Sequence, residues 1–298
     1  RLSIHYRLTF SCDSTMSQLV GRSDGSLFII GGAEDRTDTC LILREFVRRA
    51  GGIKAHIVVI PAATSYQQEA GDDYTRLFKS FGAETVQAIL TKEREDADKY
   101  EALEAIAQAT GIFFTGGDQA RVIQLIKGTL LDDAIHKRHR DGAVVAGTSA
   151  GAAIMPDVMI VEGESDTHPR LDAVEMGSGM GFLNGILVDQ HFAQRGRLGR
   201  LLAALLIEPS VLGLGIDENT AVIVEGDELE VIGAGAGTVV DESNTTFNNM
   251  DRLLRDEPLA VFGVSLHILP HGYRFNLSSR QPTAKGDKLP AQGLPLQS

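Results

Sequence analysis

The chain has 298 residues, 43% hydrophobic and 23% charged, a balance typical of globular proteins, and it is long enough to bury a sizeable core. Its 40 acidic and 28 basic side chains give a formal charge of −12, which argues against a general nucleic-acid binder, because duplex binding rests on neutralising phosphates with Lys and Arg. No apolar run reaches the roughly 18 residues of a membrane span, and two distant cysteines, Cys12 and Cys40, build neither a disulfide framework nor a C-x-x-C zinc site. A reducing cytosol is the expected compartment.

Residues 1–22 contain no continuous apolar h-region, so no signal peptide is expected. They read as an extension, disordered or left by processing, ahead of one α/β domain over 23–277. Leu27-Phe28-Ile29-Ile30 predicts a strand ending in Gly31-Gly32, and a helix follows around 38–50. A strand over 57–60 is stopped by Pro61, a helix over 66–81 is ended by Gly82, and a strand over 85–90 precedes a helix over 96–109. Residues 111–114 form a strand that stops at Thr115-Gly116-Gly117. Helices over 119–127 and 129–139 follow, and Val144-Val145-Ala146 is the strand leading to Ser149.

This rhythm implies a mostly parallel central sheet with helices on both faces. Ligands of such sheets sit outside the carboxyl ends of the strands. After residue 205 short strands at 212–216, 221–224, 228–232, 238–240 and 259–269 predict a small antiparallel extension of the same domain. Residues 278–298 are polar with Pro and Gly and are expected to be disordered.

Residues 143–155, AVVAGTSAGAAIM, contain G-x-S-x-G. The pattern fits a nucleophilic serine on a strand-to-helix turn. It equally fits a small-residue turn that lets a helix pack closely on a sheet. A nucleophile needs a base, and the developing oxyanion needs donors. The Ala150 N–H follows the serine, and the Gly117 region ends a separate strand; both are candidate donors. Among eight histidines, His191 stands out in Val188-Asp189-Gln190-His191-Phe192, at the end of an apolar run. Arg195, Arg197 and Arg200 follow, a basic cluster opening a helix in an acidic protein. Arginine binds carboxylates bidentately. Asp217-Glu218-Asn219 follows another apolar run and offers a carboxylate to orient His191, although the same residues suit a turn. An order of Ser, acid, His is formally available from Asp217 or Glu218 with His267 or His271.

Taken together, these motifs resemble the cyanophycinases, serine exopeptidases related to the α-aspartyl dipeptidases and, in fold, to class I glutamine amidotransferases. The carriers are Gly-Gly-Ala-Glu-Asp at 31–35, Phe114 to Gln119, Gly147 to Ala152, Asp189-Gln190-His191-Phe192 with the three arginines, and Gly215 to Ala221. Ala33 stands where the family often has a third glycine. The resemblance implies Ser149 as nucleophile, His191 as base and then acid, and Glu218 as third member, with the choice between Glu218 and Asp189 open. It implies Gln119, Asp189, Gln190, Arg195, Arg197 and Arg200 in or near the substrate pocket. The implied substrate is cyanophycin, a polyaspartate with arginine on each side chain, cleaved to β-aspartyl-arginine dipeptides without metal or cofactor by a homodimer. The arginines would clamp its free carboxylates, and Glu162, Glu164, Asp166 or Asp172 would face its guanidinium groups. Two other readings are an α-aspartyl or isoaspartyl dipeptidase of the same group and a non-catalytic binder of acidic peptides.

Overall fold

The computed structural model describes residues 25–165, 168–253 and 257–283. The expected extension at 1–22, residues 284–298 of the expected tail, and Asp166 lie outside the described residues. In chain order, β1 (Leu27–Ile30), α1 (Leu41–Arg49), β2 (His56–Ile60), α2 (Gln67–Ser80), β3 (Thr85–Ala88), α3 (Tyr100–Gln108) and β4 (Gly111–Phe114) alternate as the rhythm predicts. Then come α4 (Gln119–Ile126), α5 (Leu130–Arg140), β5 (Val144–Thr148), the short α6 (Ala150–Ala153), β6 (Val158–Gly163), β7 (Val174–Ser178), β8 (Ile186–Gln190) and α7 (Leu198–Ile207). Strands follow: β9 (Leu212–Ile216), β10 (Thr220–Glu225), β11 (Glu228–Gly233), β12 (Ala236–Asp241), β13 (Phe247–Asn248), β14 (Val261–Phe262), β15 (Ser265–Pro270), β16 (Arg274–Asn276) and β17 (Gln281–Thr283).

The main sheet has the order β17-β16-β11-β10-β1-β5-β4-β2-β3. Its β1, β5, β4, β2 and β3 are parallel, and β10, β11, β16 and β17 extend it antiparallel. The apolar runs lack alternation because both faces are covered. Phe28, Ile30, Ile57, Val59 and Phe113 pack on Phe46 of α1 and Tyr74 and Phe78 of α2. Leu27, Ile29, Val58, Ile60 and Phe114 share the other face with Ile106, Val122 and Ile135 of α3, α4 and α5. Each such buried side chain contributes about 1.5–3 kcal/mol.

Several boundaries differ from the expected ones, for local reasons. The first helix begins at Leu41 rather than 38, because the Asp35 carboxylate accepts the N–H groups of Thr37, Asp38 and Cys40 at 3.0, 2.9 and 2.9 Å. The expected helix 96–109 is divided into a 3-10 turn over Arg94–Asp98 and α3, since Asp96 accepts from the N–H of Lys92 and Glu93. The strand expected over 85–90 stops at Ala88, and the Thr91 N–H beyond it donates to the Gln67 side chain at 2.8 Å. The run 259–269 breaks at Gly263, whose φ of 85° turns the chain between β14 and β15.

The C-terminal strands also split between sheets. β9, β12 and β15 join β8 in a second sheet of order β15-β12-β9-β8, rather than simply extending the first. After Ser149 the chain forms a bulged β6–β7 pair, which puts Glu162 on a strand, while Glu164 and Asp172 lie in the connection between the two strands. Residues 281–283 pair with β16, so ordered chain continues past 277; a sheet edge with free main-chain groups outweighs the polar composition there.

Candidate active site

Ser149 stands between β5 and α6 with φ 53° and ψ −111°, a region costly for a residue with a Cβ. The flanking glycines allow this turn. A Cβ at Gly147 would lie 2.0 Å from the Gly151 oxygen, and one at Gly151 would lie 2.5 Å from the Phe114 oxygen. Helix α6 therefore rests directly on β5 and β4, and the serine is held at the carboxyl edge of the central strands. Its N–H donates to the Ile30 oxygen at 3.0 Å, tying the turn to β1.

His191 directly follows β8, and the second sheet carries it to the same edge. Its Nε2 is 3.0 Å from Ser149 Oγ, and its Nδ1 is 2.6 Å from Glu218 Oε1. Ser149 Oγ also lies 3.5 Å from Gln190 Oε1. The imidazole lies over Gly32, where a Cβ would come within 2.4 Å of the ring. The carboxylate at His191 is thus Glu218, while Asp189 points elsewhere. His267 packs against Phe275, and the His271 ring accepts the Gly233 N–H at 3.2 Å; neither is a hydrogen-bond partner of Ser149.

Burial holds the His191 pKa below its usual 6.5, with Arg195 and Arg197 adding to the effect and the Glu218 hydrogen bond opposing it. The ring is therefore neutral at neutral pH and able to accept a proton. The Ala150 N–H opens α6 and belongs to the first-turn donors with no carbonyl partner inside their helix. Gly117 has φ 145°, and a Cβ there would lie 2.3 Å from the Ala63 oxygen, so only glycine brings this backbone to the cleft.

The three arginines divide. Arg200 grips Asp189 with Nε at 2.7 Å from Oδ2 and with Nη2 on Oδ1, and both residues are buried. Arg197 Nη1 lies 3.5 Å from the same carboxylate and donates to the Gln190 oxygen at 2.6 Å. Burial lowers the Arg197 pKa to about 10, against the pull of Asp189. Arg195 is exposed, and among the described residues it has no carboxylate partner. All three arginines line the cleft, but Arg197 and Arg200 share the buried Asp189 carboxylate, whereas Arg195 has no such partner among the described residues.

A cleft of about 680 Å³ opens beside Ser149, within the usual range for ligand sites. Gln119, Gln190, Arg195, Arg197 and Arg200 line it, with Glu162, Glu164, Asp172 and Glu175 from the hairpin side. Gln119 Nε2 donates to the backbone oxygens of Val161 and of Ile160, the latter at 3.3 Å, so it also ties α4 to the hairpin. Arg170 bridges Glu164 and Asp172 at 2.9 Å each. Glu162 faces Glu175 across the hairpin, a like-charge pairing that disfavours the strands unless a cation joins it. Sequence reasoning did not single out Glu175. Its signal was the alternation of Val174-Glu175-Met176, a half-buried strand pattern.

Residues 27–232 match Peptidase family S51. A cyanophycinase of Trichormus variabilis is 40% identical over 257 residues, 86% of each chain. A cyanophycinase of Geminocystis herdmanii is 40% identical over 261 residues, 87% of this chain and 96% of its own. One of Synechococcus elongatus is 39% identical over 259 residues, 86% of this chain and 80% of its own. The solved structure of a peptidase from an acI-B1 Actinobacterium superposes with a TM-score of 0.60 at 21% identity, covering 86% of this chain and 98% of that one, and so shares the fold. The chain belongs to peptidase family S51, a family of serine-type peptidases.

Proposed function

We propose that this chain is a serine exopeptidase that releases β-aspartyl-arginine dipeptides from cyanophycin. The observation that carries this is one continuous geometry. Ser149, His191 and Glu218 are joined by contacts of 3.0 and 2.6 Å, and the serine opens on a cleft lined by both arginines and carboxylates. A polymer bearing a free carboxylate and a guanidinium in each unit matches that mixed lining. Arg195 meets the carboxylate, with Gln190 and Gln119 beside it. Glu162 and Glu175 receive the guanidinium.

The chemistry is acyl transfer. Ser149 Oγ attacks the backbone carbonyl of the aspartate while His191 Nε2 takes its proton, and the C–O bond forms. The oxyanion is held by the Ala150 N–H and the Gly117 region. His191 returns the proton to the leaving nitrogen as the C–N bond breaks. Water then attacks the ester, gives a proton to His191, and the proton returns to Ser149. Glu218 accepts from Nδ1–H throughout and holds the tautomer.

The test is to incubate the protein with purified cyanophycin and identify products by mass. Release of β-aspartyl-arginine is expected; hydrolysis of Asp-X dipeptides with the polymer untouched would replace this reading by the α-aspartyl dipeptidase one. Binding of acidic peptides without any hydrolysis would point instead to a non-catalytic protein.

The pH profile follows from the lowered His191 pKa. The acid limb of kcat/KM is expected to have its midpoint below 6.5, since activity is lost as His191 gains a proton. Replacing Arg195 by Gln removes a repelling charge and should move that limb to higher pH, more so at low salt. A wild-type midpoint above 6.5 would contradict the role given to His191.

A homodimer in the cytoplasm belongs to the same proposal. Leu266 and Ile268 stand exposed on β15 at the edge of the second sheet, a surface that a second copy would cover. The buried Cys40 is a free thiol, as a reducing compartment keeps it. Among the described residues, no helix is long and apolar enough to cross a membrane.

A further inference from the structure

We infer that Glu34 is a positioning residue of the nucleophile, acting through Thr148, and that the segment 31–35 sets the register between the serine, the histidine and the acid. The inference rests on the reading of Ser149 as nucleophile. Glu34 follows β1, and its side chain has 0% exposure. Its Oε2 accepts the Thr148 hydroxyl at 2.5 Å. Thr148 is the last residue of β5 and precedes Ser149. The other oxygen, Oε1, accepts the Tyr74 hydroxyl and lies 3.1 Å from Arg36 Nη2, and the Arg36 guanidinium stands over the Tyr74 ring.

A buried carboxylate is costly unless it is paired and hydrogen-bonded. Here Thr148 of β5 and Tyr74 of α2 come from separate parts of the fold and Arg36 from the same segment, and the assembly ends one residue before the backbone position at φ 53°. Such a conformation persists only where its surroundings over-determine it. Two restraints on Ser149 were described above, the close approach of the glycines and the bond to Ile30. The Thr148–Glu34 bond is a third, and it is charge-assisted.

The same segment reaches the other two residues. The Gly31 oxygen accepts the His191 N–H at 2.8 Å, and Gly32 leaves room for the imidazole. The Gly32 oxygen accepts the Asn219 N–H at 2.9 Å, next to Glu218. The Asp35 N–H donates to Asn219 Oδ1 at 2.9 Å. A stretch of five residues therefore touches His191 directly and the neighbours of the other two, Thr148 beside Ser149 and Asn219 beside Glu218. Glu34 connects it to the serine by a side chain, where Gly31, Gly32 and Asp35 serve the histidine and acid through backbone.

The test uses a fluorophosphonate reagent, which reports Ser149 reactivity without reference to any peptide substrate. Saturation labelling gives a maximal rate and a half-saturating concentration. Thr148→Val, which deletes the hydroxyl at similar volume, should lower the maximal rate by about ten- to a hundredfold, the value of a hydrogen bond to a charged group. Half-saturation should stay within about twofold, and Thr148→Ser should restore the rate. Where Thr148→Val does not fold, Glu34→Gln takes its place: it keeps the volume but not the charge, and the same loss is expected in folded protein. A folded variant labelling within about twofold of the wild-type rate overturns the inference. So does a loss carried by half-saturation, or a Thr148→Ser variant as slow as Thr148→Val. Wild-type protein that is not labelled overturns the nucleophile reading and this inference with it.

Discussion

Ser149→Ala is expected to lower hydrolysis by about 10⁴- to 10⁶-fold while leaving the thermal midpoint within a few degrees of wild type. The magnitude follows from removing the atom that forms the covalent bond, which leaves only binding and oxyanion stabilisation. The stability expectation follows from the backbone. Alanine keeps the Cβ that already tolerates φ 53° and ψ −111°, and it loses a hydroxyl whose contacts are His191 at 3.0 Å and Gln190 at 3.5 Å. His191→Ala should behave likewise, whereas His267→Ala and His271→Ala should remain active. Measured kcat on cyanophycin for the four variants decides between the orders Ser-His-acid and Ser-acid-His. Loss only in the His267 or His271 variant would overturn the assignment of His191.

Asp189→Ala carries the second large effect, and its main consequence is on stability. Asp189 is 1% exposed, and Arg197 and Arg200 around it are 6% and 5% exposed. Removing the carboxylate leaves two buried guanidinium groups facing each other without their counter-charge. Breaking a buried pair in this way costs about 3–5 kcal/mol, and urea unfolding should show it directly. Asp189→Asn keeps an acceptor for Arg200 Nε and should cost less. Activity should fall as well, because Arg197 holds the Gln190 oxygen at 2.6 Å, one residue before His191. An Asp189→Ala midpoint in urea equal to wild type would mean that the arginines find water or substrate-side partners, and that Asp189 is not their anchor.

The two results together separate what the linear pattern revealed from what needed three dimensions. The parallel core was legible because its strands are short β-branched and aromatic runs bounded by glycine or proline, and both faces are buried. Ser149, His191 and Glu218 were legible as a set because each follows an apolar run, and strand ends in such a sheet converge on one edge. The hairpin at Val158–Gly163 and Val174–Ser178 was not legible. It is partly solvated, and its register shifts at a bulge.

What the sequence by itself determined is the ordering of local elements and the residue types available at each strand end, because both depend on neighbours in the chain. It favoured Glu218 to hold His191 but left Asp189 open, and it offered three arginines as candidates to meet a carboxylate. Only the tertiary structure decided between them. β8 pairs in parallel with β9, with Gln190 opposite Ile216, and this brings Glu218 rather than Asp189 to the imidazole. Successive side chains of an extended strand point to opposite sides, so Asp189 turns to Arg200 while Gln190 turns to the serine. His191 lies just past the strand at φ 48° and joins Gln190 at Ser149, and Arg195 lines the cleft with no carboxylate partner among the described residues. Charge partners are chosen by distance in space and by burial, and neither is written in the order of residues along the chain.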